Sequence, residues 1–224
     1  MQDLKDFRVK YRPNTLDEFL GNDHIKIIWN SYIKKGFFPR SIILPSNYGM
    51  GKTTLARILA ADITKYDSDK LCFEPFMEFD SAVCDFAYVH KMIRDRCSFN
   101  VRPRVFFFDE AQRMPDKAQD GFLKIIEDFE CVTFIFATTD SNKIDGGIWS
   151  RSDRFFLKTP SPDILTKELT RISEFERIKI EKSALDFLIE LSGCIPRECL
   201  GNLQTLSHYR GVIDSRVAKE FLAH

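Results

Sequence analysis

A glycine-containing loop between an apolar run and a helical pattern could bind phosphate. The apolar run is Ser41–Leu44, and residues 46–53 read SNYGMGKT. The P-loop pattern consists of Gly, four residues, and then Gly-Lys followed by Ser or Thr. Its second half is met by three consecutive residues: Gly51, Lys52 and Thr53. Ser46 takes the place of the first glycine, so the sequence departs from the strict pattern at one position.

Phosphate binding by such a loop depends on backbone N–H groups and on the positive end of the helix that follows. Gly49 and Gly51 allow a close approach because they carry no Cβ. Lys52 would reach the β- and γ-phosphates of ATP, and Thr53 would hold Mg²⁺. The loop residues expected around the nucleotide are Ser46, Gly49, Met50, Gly51, Lys52, Thr53 and Thr54. A plain glycine turn is the alternative, but the order of strand, loop and helix favours the nucleotide site.

A pair of acids follows a second apolar run. The segment from 105 to 112 reads VFFFDEAQ, so Asp109 and Glu110 would stand at the end of a buried strand. Asp109 would bind Mg²⁺ through water, and Glu110 would polarise the attacking water as general base. Acid pairs also end ordinary strands, so this pair alone decides nothing. Combined with Lys52 and Thr53, it forms the two halves of one Mg–ATP site.

Strand and helix patterns alternate through the first 158 residues. Strands are predicted at 41–44, 73–79, 105–108, 131–137 and 153–157. Pro75 weakens the second of these or places it at a sheet edge. Helices are predicted at 53–63, 83–97 and 116–128. The alternation predicts an α/β fold, with a parallel five-stranded sheet covered by helices on both faces.

The strand pattern ends at residues 159–162, which read TPSP. Short amphipathic helices are predicted beyond this break, at 163–176, 182–192, 196–209 and 215–223. We therefore expect a nucleotide-binding α/β domain over residues 1–158 and a small all-helical lid domain over residues 159–224. Residues 1–20 form a polar lead-in to the first of these domains.

Composition excludes several protein classes. The chain has 224 residues, of which 44% are apolar and 29% charged, and this mixture argues against a disordered or coiled-coil protein. Its 33 Lys and Arg balance 33 Asp and Glu, so no global charge points to nucleic acid. No apolar run approaches the roughly 18 residues that a membrane span needs. The six cysteines form no CxxC pair, which predicts no zinc site. The sequence shows no signal peptide, so we expect a reducing, cytoplasmic location.

One segment has a local excess of positive charge. Residues 90–104 contain a single acid, Asp95, and several basic residues: Lys91, Arg94, Arg96, Arg102 and Arg104. A solvated helix face is the plain interpretation of this pattern. The alternative is a contact with the DNA backbone through the four arginines, because binding to phosphates needs only positive charge and backbone N–H groups.

Five segments in a fixed order carry a resemblance to a known family. They are KYRPNTLDEFLGND (10–23), the P-loop, FFFDEAQRM (106–114), FATTDSNKI (136–144) and IWSRSDRF (148–155). Together they resemble the ATPase subunits of sliding-clamp loaders in the AAA+ superfamily, of the bacterial polymerase III gamma/tau or replication factor C small-subunit type. The resemblance covers residues 7–223. The P-loop and the acid pair occur in many NTPases, whereas the other three segments are more specific.

The resemblance implies roles that spacing alone does not give. Three residues of the lead-in would lie near the adenine and ribose: Tyr11, Arg12 and Pro13. Thr139 would be a first sensor, whose hydroxyl bonds near the γ-phosphate or the attacking water. Arg197 would be a second sensor, which reaches from the lid to the phosphates. Their plain alternatives are a threonine that caps a strand end and a surface arginine on a helix.

Arg151, in the segment SRS, resembles an arginine finger that acts on ATP bound by a neighbouring subunit. A guanidinium offers a planar set of donors to the charge that builds on the γ-phosphoryl group. If the finger acts in trans, hydrolysis occurs only within an assembly. The plain alternative is an arginine in a salt bridge at the start of a strand. The family's triplet usually ends in Cys, and Ser152 stands there in this sequence.

The implied function is to use Mg–ATP to open a sliding clamp and load it on primed DNA, together with other loader subunits. Bacterial relatives often carry a four-cysteine zinc module after the P-loop helix, where this chain has only Cys72. Clamp-loader subunits normally continue into a helical collar, whereas this sequence stops at His224. Either another protein supplies the ring contacts, or the ATPase parts assemble on DNA and clamp. Two alternatives stay open: another AAA+ DNA-processing ATPase, such as a helicase loader, and a non-catalytic interaction subunit.

Overall fold

A computed structural model describes residues 6–65, 76–97, 104–129 and 132–222 of the chain. Within these ranges the strands are β1 Ser41–Pro45, β2 Phe76–Asp80, β3 Arg104–Asp109, β4 Val132–Thr138 and β5 Asp153–Arg154. The helices of the first part are α1 Phe7–Lys10, α2 Asp23–Lys35, α3 Lys52–Thr64, α4 Phe86–Cys97, α5 Asp116–Asp128 and α6 Gly146–Ser150. The later helices are α7 Pro162–Glu176, α8 Lys182–Leu191, α9 Pro196–Leu206 and α10 Ser215–Leu222.

The five strands form one parallel sheet in the order β2-β3-β4-β1-β5, which confirms the predicted fold class. Consecutive β1 residues point to opposite faces, so Ile42 and Leu44 join one core cluster and Ile43 joins the other. The strand β5 is shorter than the predicted 153–157. Phe155 still donates its backbone N–H to Ile43, but Phe156 is half exposed because the chain then leaves the sheet.

Helices cover both faces of the sheet, and this is why its central strands are continuous apolar runs. One cluster packs α2 and α3 against the sheet, and the other packs α4 and α5 against the opposite face. In the second cluster, Phe79, Phe108 and Phe136 stack across three neighbouring strands, with ring centroids 5.1 and 5.5 Å apart. Phe122 of α5 meets this row edge-on, 4.8 Å from Phe108. Parallel pairing in register puts these rings side by side.

The helix α2 was not predicted, because an exposed isoleucine interrupts the stripe of its buried residues. Ile25 and Trp29 are buried, whereas Ile27 is 71% exposed. The indole N–H of Trp29 donates to Asp62 Oδ2 of α3 at 2.7 Å. Burial raises the pKa of Asp62, and the indole donor opposes that rise. Trp29 therefore both fills the core and supplies a donor to a half-buried carboxyl group.

The helices α7–α10 pack around a third cluster of buried side chains. Phe7 of α1 belongs to the same cluster, and its backbone N–H donates to Gln204 Oε1 of α9 at 3.1 Å. The Tyr11 hydroxyl donates to Glu176 at the end of α7, and Lys10 forms an ion pair with the same carboxylate. The N-terminal segment is thus attached to the C-terminal helices, and the division of the chain at residue 158 stays a prediction.

None of the described helices is both long and apolar enough to cross a membrane. Over the same residues, no group of three or more His, Cys, Asp or Glu side chains could hold a metal ion. Cys72 and the segment around it lie outside the described ranges, so the absence of a zinc module stays a prediction.

Replacing Trp29 with alanine is expected to reduce the free energy of unfolding by about 3–5 kcal/mol. The physical reason is the cavity left by a fully buried indole, together with the lost donor to Asp62. Urea unfolding followed by circular dichroism measures the change. Ile27→Ala on the same helix is the matched control, and we expect it to stay within about 0.5 kcal/mol because Ile27 is exposed. Equal effects of the two changes would contradict this account of α2.

Candidate functional site

The carboxyl ends of three central strands meet at one edge of the sheet, and each is followed by predicted site residues. The P-loop follows β1, and Thr139 follows β4. Asp109 is the last residue of β3, and Glu110 comes directly after it. The backbone N–H of Ser46 donates to Thr138 O at 3.1 Å, which ties the start of the P-loop to the end of β4. In open α/β sheets, ligands bind at the carboxyl edge of the strands.

The P-loop backbone has the conformation that close contact with phosphate requires. Gly49 and Gly51 have φ values of +75° and +92°, in the left-handed region that glycine adopts at no cost. Gly51 is the N-cap of α3 and provides no side-chain cap, so no cap side chain competes with a ligand for the first N–H groups of that helix. Ser46 does not have a positive φ, and the missing first glycine therefore creates no backbone strain.

The Lys52 side chain is buried inside the loop, with 7% of its surface exposed. Its ammonium group donates to the carbonyl oxygens of Ser46 and Asn47, each at 3.0 Å. The pKa of Lys52 is lowered, mainly by burial. The carboxylates of Glu110 and Asp109 act in the opposite direction, and the positive charge of Arg197 lowers the pKa further. Two positive side chains therefore lie within electrostatic reach of each other beside the loop, an arrangement that an anionic ligand would stabilise.

Thr53 and Asp109 join the two halves of the predicted site. The hydroxyl of Thr53, in the first turn of α3, donates to Asp109 Oδ2 at the end of β3 over 3.0 Å. Hydroxyl and carboxylate oxygens are hard donors of the kind that Mg²⁺ takes, and one or two carboxylates suffice for a Mg²⁺ site with phosphates. These residues fit that ion.

Glu110 and Thr139 are connected by a residue that sequence analysis did not single out, Gln112. Its Nε2 donates to Glu110 Oε2 at 2.5 Å and to Thr139 Oγ1 at 2.9 Å. Glu110 itself has a left-handed backbone, with φ at +52°. Gln112 lies in the short 3₁₀ turn after β3, where no periodic pattern marks a side chain. The only signal in the sequence is a polar residue two positions after the acid pair.

The side-chain amide of Gln119 joins two loops that follow neighbouring strands. Gln119 of α5 is 3% exposed, and its Nε2 donates to Met114 O at 3.2 Å and to Lys143 O at 3.0 Å. Its Oε1 accepts from the backbone N–H of Asp145 at 2.6 Å. Gln119 therefore fixes the loop after β3 to the loop after β4, although sequence analysis did not select it.

The N-terminal segment and the start of α9 enclose a cavity next to the P-loop. Arg197 is in the first turn of α9, whose N-terminus has no side-chain cap. A Cβ placed on Gly49 would lie 2.6 Å from Ile195 Cγ2 and 3.4 Å from Arg197 Cβ, so the loop and α9 are in close contact. The predicted site residues that line this cavity are Tyr11, Arg12, Pro13, Gly49, Met50, Gly51, Thr54 and Arg197.

Arg151 lies at the opposite side of the sheet, near the amino ends of the parallel strands. It immediately precedes Ser152 and β5, and Asp153 pairs with Ile42 near the start of β1. At about 3.3 Å per residue, Arg151 is about 20 Å along the strand direction from the P-loop, which follows the end of β1. Its side chain is 42% exposed and forms a 2.7 Å ion pair with Glu127 at the end of α5.

The predicted basic cluster is not one exposed surface. Arg94 is exposed on α4, but Arg104 is buried, with 8% of its surface exposed, at the start of β3. The burial of Arg104 argues against a direct contact with DNA, and the DNA-binding role of the cluster stays a prediction. The Arg96 side chain and the whole of Arg102 lie outside the described residues.

Three comparisons with known proteins bear on this arrangement. The model of the ATPase family associated with various cellular activities (AAA) matches residues 42–160. The DNA polymerase III subunit gamma/tau of Mycoplasma genitalium is 30% identical over 91% of this chain and 37% of its own length. The replication factor C small subunit of Methanococcus vannielii is 30% identical over 88% of this chain and 62% of its own length. The chain thus spans less than two thirds of each of these relatives.

The solved structure of the Thermotoga maritima RuvB Holliday junction branch migration motor has a similar fold. The TM-score is 0.77, with 21% sequence identity, and the match covers 95% of this chain and 72% of that one. At this level of identity the likeness concerns the fold alone.

Replacing Gly49 with alanine is expected to lower the affinity for ATP about tenfold and to lower the melting temperature. A left-handed alanine costs about 1–2 kcal/mol, and the new Cβ also displaces Ile195. Titration with a fluorescent ATP analogue and thermal unfolding measure the two effects. Gly146→Ala is the control, because no atom lies within 4 Å of its added Cβ and its φ is not positive. Unchanged nucleotide affinity in Gly49→Ala would argue against the contact between the loop and α9.

Proposed function

Since the chain belongs to the ATPase family associated with various cellular activities (AAA), we propose that it is the ATP-hydrolysing part of a sliding-clamp loader. One observation carries the proposed site. The P-loop and the acid pair lie against each other, with 3.0 Å between Thr53 Oγ1 and Asp109 Oδ2. Lys52, Glu110 and Thr139 lie at the same sheet edge, so every group needed for hydrolysis within one subunit comes from adjacent strand ends.

In the proposed reaction, Lys52 leaves the carbonyl oxygens of Ser46 and Asn47 and binds the phosphates instead. The backbone N–H groups of the loop and the start of α3 bind the same phosphates. Thr53 and Asp109 hold Mg²⁺, which neutralises charge on the β- and γ-phosphate oxygens when bound. The exchange is favourable for Lys52, because a buried ammonium gains charged partners in place of neutral ones.

Glu110 accepts a proton from the water that attacks the γ-phosphorus. The bond from the γ-phosphorus to the bridging oxygen breaks as the new P–O bond forms, and the products are ADP and inorganic phosphate. Thr139 directs its hydroxyl to the reacting groups. Arg197 binds the phosphates from the start of α9, so that nucleotide draws α9 towards the P-loop.

Adenine and ribose occupy the adjoining cavity in this proposal. Tyr11, Arg12 and Pro13 form one wall of the cavity, and residues of α7 and α9 form another. Because Tyr11 is also bonded to Glu176 of α7, the base lies where the N-terminal segment and the C-terminal helices meet. This supports the proposed division into a nucleotide-binding domain and a helical lid that responds to ATP.

Arg151 acts on a neighbouring subunit's ATP in this proposal. Its position about 20 Å along the sheet from its own P-loop supports action in trans. The ion pair with Glu127 is exposed, and exposed pairs contribute only about 0–1 kcal/mol, so exchange for a phosphate costs little. The neighbouring copy or another loader subunit supplies the nucleotide.

The remaining partners follow from the resemblance to clamp-loader subunits. They are a sliding clamp, other loader subunits and primer–template DNA. Arg94, Arg96 and Arg102 stay the candidates for sequence-independent contact with the DNA backbone, and Arg104 is removed from that set. The relatives support this assignment through their names, and the clamp and DNA steps are proposals for this chain.

Lys52→Ala is expected to weaken ATP binding by about 10- to 100-fold, since it removes a charged donor to the phosphates. Glu110→Gln is expected to keep ATP binding and to lower hydrolysis by about 10²- to 10⁴-fold, since it removes the general base. A phosphate-release assay and a fluorescent-ATP titration separate the two effects. Hydrolysis by Glu110→Gln at the wild-type rate would refute the proposed site.

The same assays with a sliding clamp and primed DNA test the clamp-loader assignment. We expect both to stimulate the wild-type protein, and the charge reversals Arg94→Glu and Arg96→Glu to reduce stimulation by DNA only. Stimulation by DNA without any effect of the clamp would favour another AAA+ DNA-processing ATPase. ATP binding without turnover under all conditions would favour a non-catalytic interaction subunit.

Arg151→Ala is expected to lower hydrolysis by about 10³-fold without changing ATP affinity, because its own nucleotide site is intact. Mixing it with Glu110→Gln should restore activity, since the second variant supplies a finger to the first. For the wild-type protein, the rate of hydrolysis per molecule should also rise steeply with protein concentration. Arg154→Ala, an exposed arginine whose guanidinium lies 5.5 Å from the Trp149 ring, is the matched control. Failure of the mixture to recover activity would contradict action in trans.

A further inference from the structure

Gln112 uses all of its hydrogen-bonding groups on the catalytic edge of the sheet. Its Nε2 donates to Glu110 Oε2 at 2.5 Å and to Thr139 Oγ1 at 2.9 Å. Its Oε1 accepts from the backbone N–H of Thr139 at 3.3 Å. It also lies 3.0 Å from Thr138 Oγ1, whose one proton has Asp140 O as a second acceptor at the same distance. A single amide thus contacts the acid that follows β3 and both threonines at the end of β4.

The chemistry of these partners fixes the orientation of the amide. A backbone N–H can only donate, so the Gln112 atom that faces the Thr139 N–H must be the oxygen. An ionised carboxylate can only accept, so the atom that faces Glu110 must be the nitrogen. The reversed amide would place a donor against a donor on one side and an acceptor against an acceptor on the other.

The same bonds determine what the Thr139 hydroxyl can do. Its oxygen already accepts from Gln112, so its own proton is directed away from the amide. This proton is then available as a donor at the strand edge where the phosphates are proposed to bind. Without Gln112, the hydroxyl could rotate and present either a proton or a lone pair.

Glu110 depends on Gln112 for the position of its carboxylate. Its backbone is in the left-handed region, with φ at +52°, which is uncommon for a residue with a side chain. Among the described residues, the carboxylate also accepts from the Tyr48 hydroxyl, at the long distance of 3.5 Å. The 2.5 Å bond to Gln112 is therefore the closer restraint on where the carboxylate points.

We propose that Gln112 is a positioning residue that sets the Glu110 carboxylate and the Thr139 hydroxyl relative to each other. This inference rests on the proposed ATPase function, in which Glu110 accepts the proton of the attacking water. The amide holds the Glu110 carboxylate after β3 and the Thr139 hydroxyl after β4, so that both can reach the same water and phosphate. Errors of about 1 Å in such positions cost about 10²-fold in rate.

Gln112→Met tests the proposal, because methionine has a similar length and lacks the strong hydrogen-bonding groups. We expect kcat to fall by about 10- to 100-fold, while affinity for a fluorescent ATP analogue stays within about twofold, since Lys52 and the backbone N–H groups of the P-loop, which this variant leaves intact, supply the main contacts with the phosphates. Thermal unfolding of the same protein reports whether the fold is retained. Gln204→Met is the matched control. Gln204 accepts from Phe7 N at 3.1 Å, away from the strand edge, and its replacement should leave kcat unchanged.

Gln112→Glu is a second variant that separates the two sides of the amide. It keeps an acceptor for Thr138 and the Thr139 N–H but loses the donor to Glu110 and places a second carboxylate beside it. Repulsion between the two carboxylates should turn the Glu110 side chain away from its position, so kcat should fall at least as far as in Gln112→Met. A role of Gln112 in folding alone would lower the melting temperature and leave kcat of the folded protein unchanged.

Two results would overturn the inference, and a third would overturn its premise. Wild-type kcat in Gln112→Met would show that Gln112 does not position the base. A loss of ATP affinity as large as the loss of kcat would assign Gln112 to binding or folding instead. Wild-type hydrolysis by Glu110→Gln would defeat the proposed function itself, whatever the Gln112 variants do.

Discussion

The parallel direction of β1, β3 and β4 is the constraint on which the rest of the structure depends. Because the strands run the same way, their carboxyl ends deliver the P-loop, the acid pair and Thr139 to one edge. The Thr53–Asp109 hydrogen bond then closes the contact between the loop and the acids. An antiparallel β3 would bring the acids to the opposite edge, beside Arg151, and no single nucleotide could contact both halves.

The same constraint separates the proposed catalytic groups into two sets. Lys52, Glu110 and Thr139 lie at the carboxyl edge, whereas Arg151 precedes β5 and lies at the amino edge beside Glu127. A rigid sheet about 20 Å long keeps the two sets apart within one chain. The proposed reaction needs both sets, so it would require two chains.

Part of the fold could be predicted from the sequence, and each success and each omission has a physical reason. Central strands buried on both faces must be continuous apolar runs, so β1, β3 and β4 were found from composition alone. The helix α2 was missed because exposed Ile27 hides the stripe formed by Ile25 and Trp29. The burial of Arg104 was not predicted, because a count of basic residues does not say which side chains the start of a strand buries.

Gln112 shows why a polar network resists prediction from sequence. Its partners are one strand end at residue 110 and another at residues 138 and 139, and their proximity follows from β3 pairing with β4. No local pattern contains that pairing. The amide also acts by orientation, since its oxygen and nitrogen select which partner can donate. The P-loop is recognisable because one continuous segment performs its task, whereas the geometry of the base and the sensor arises only when separate segments meet.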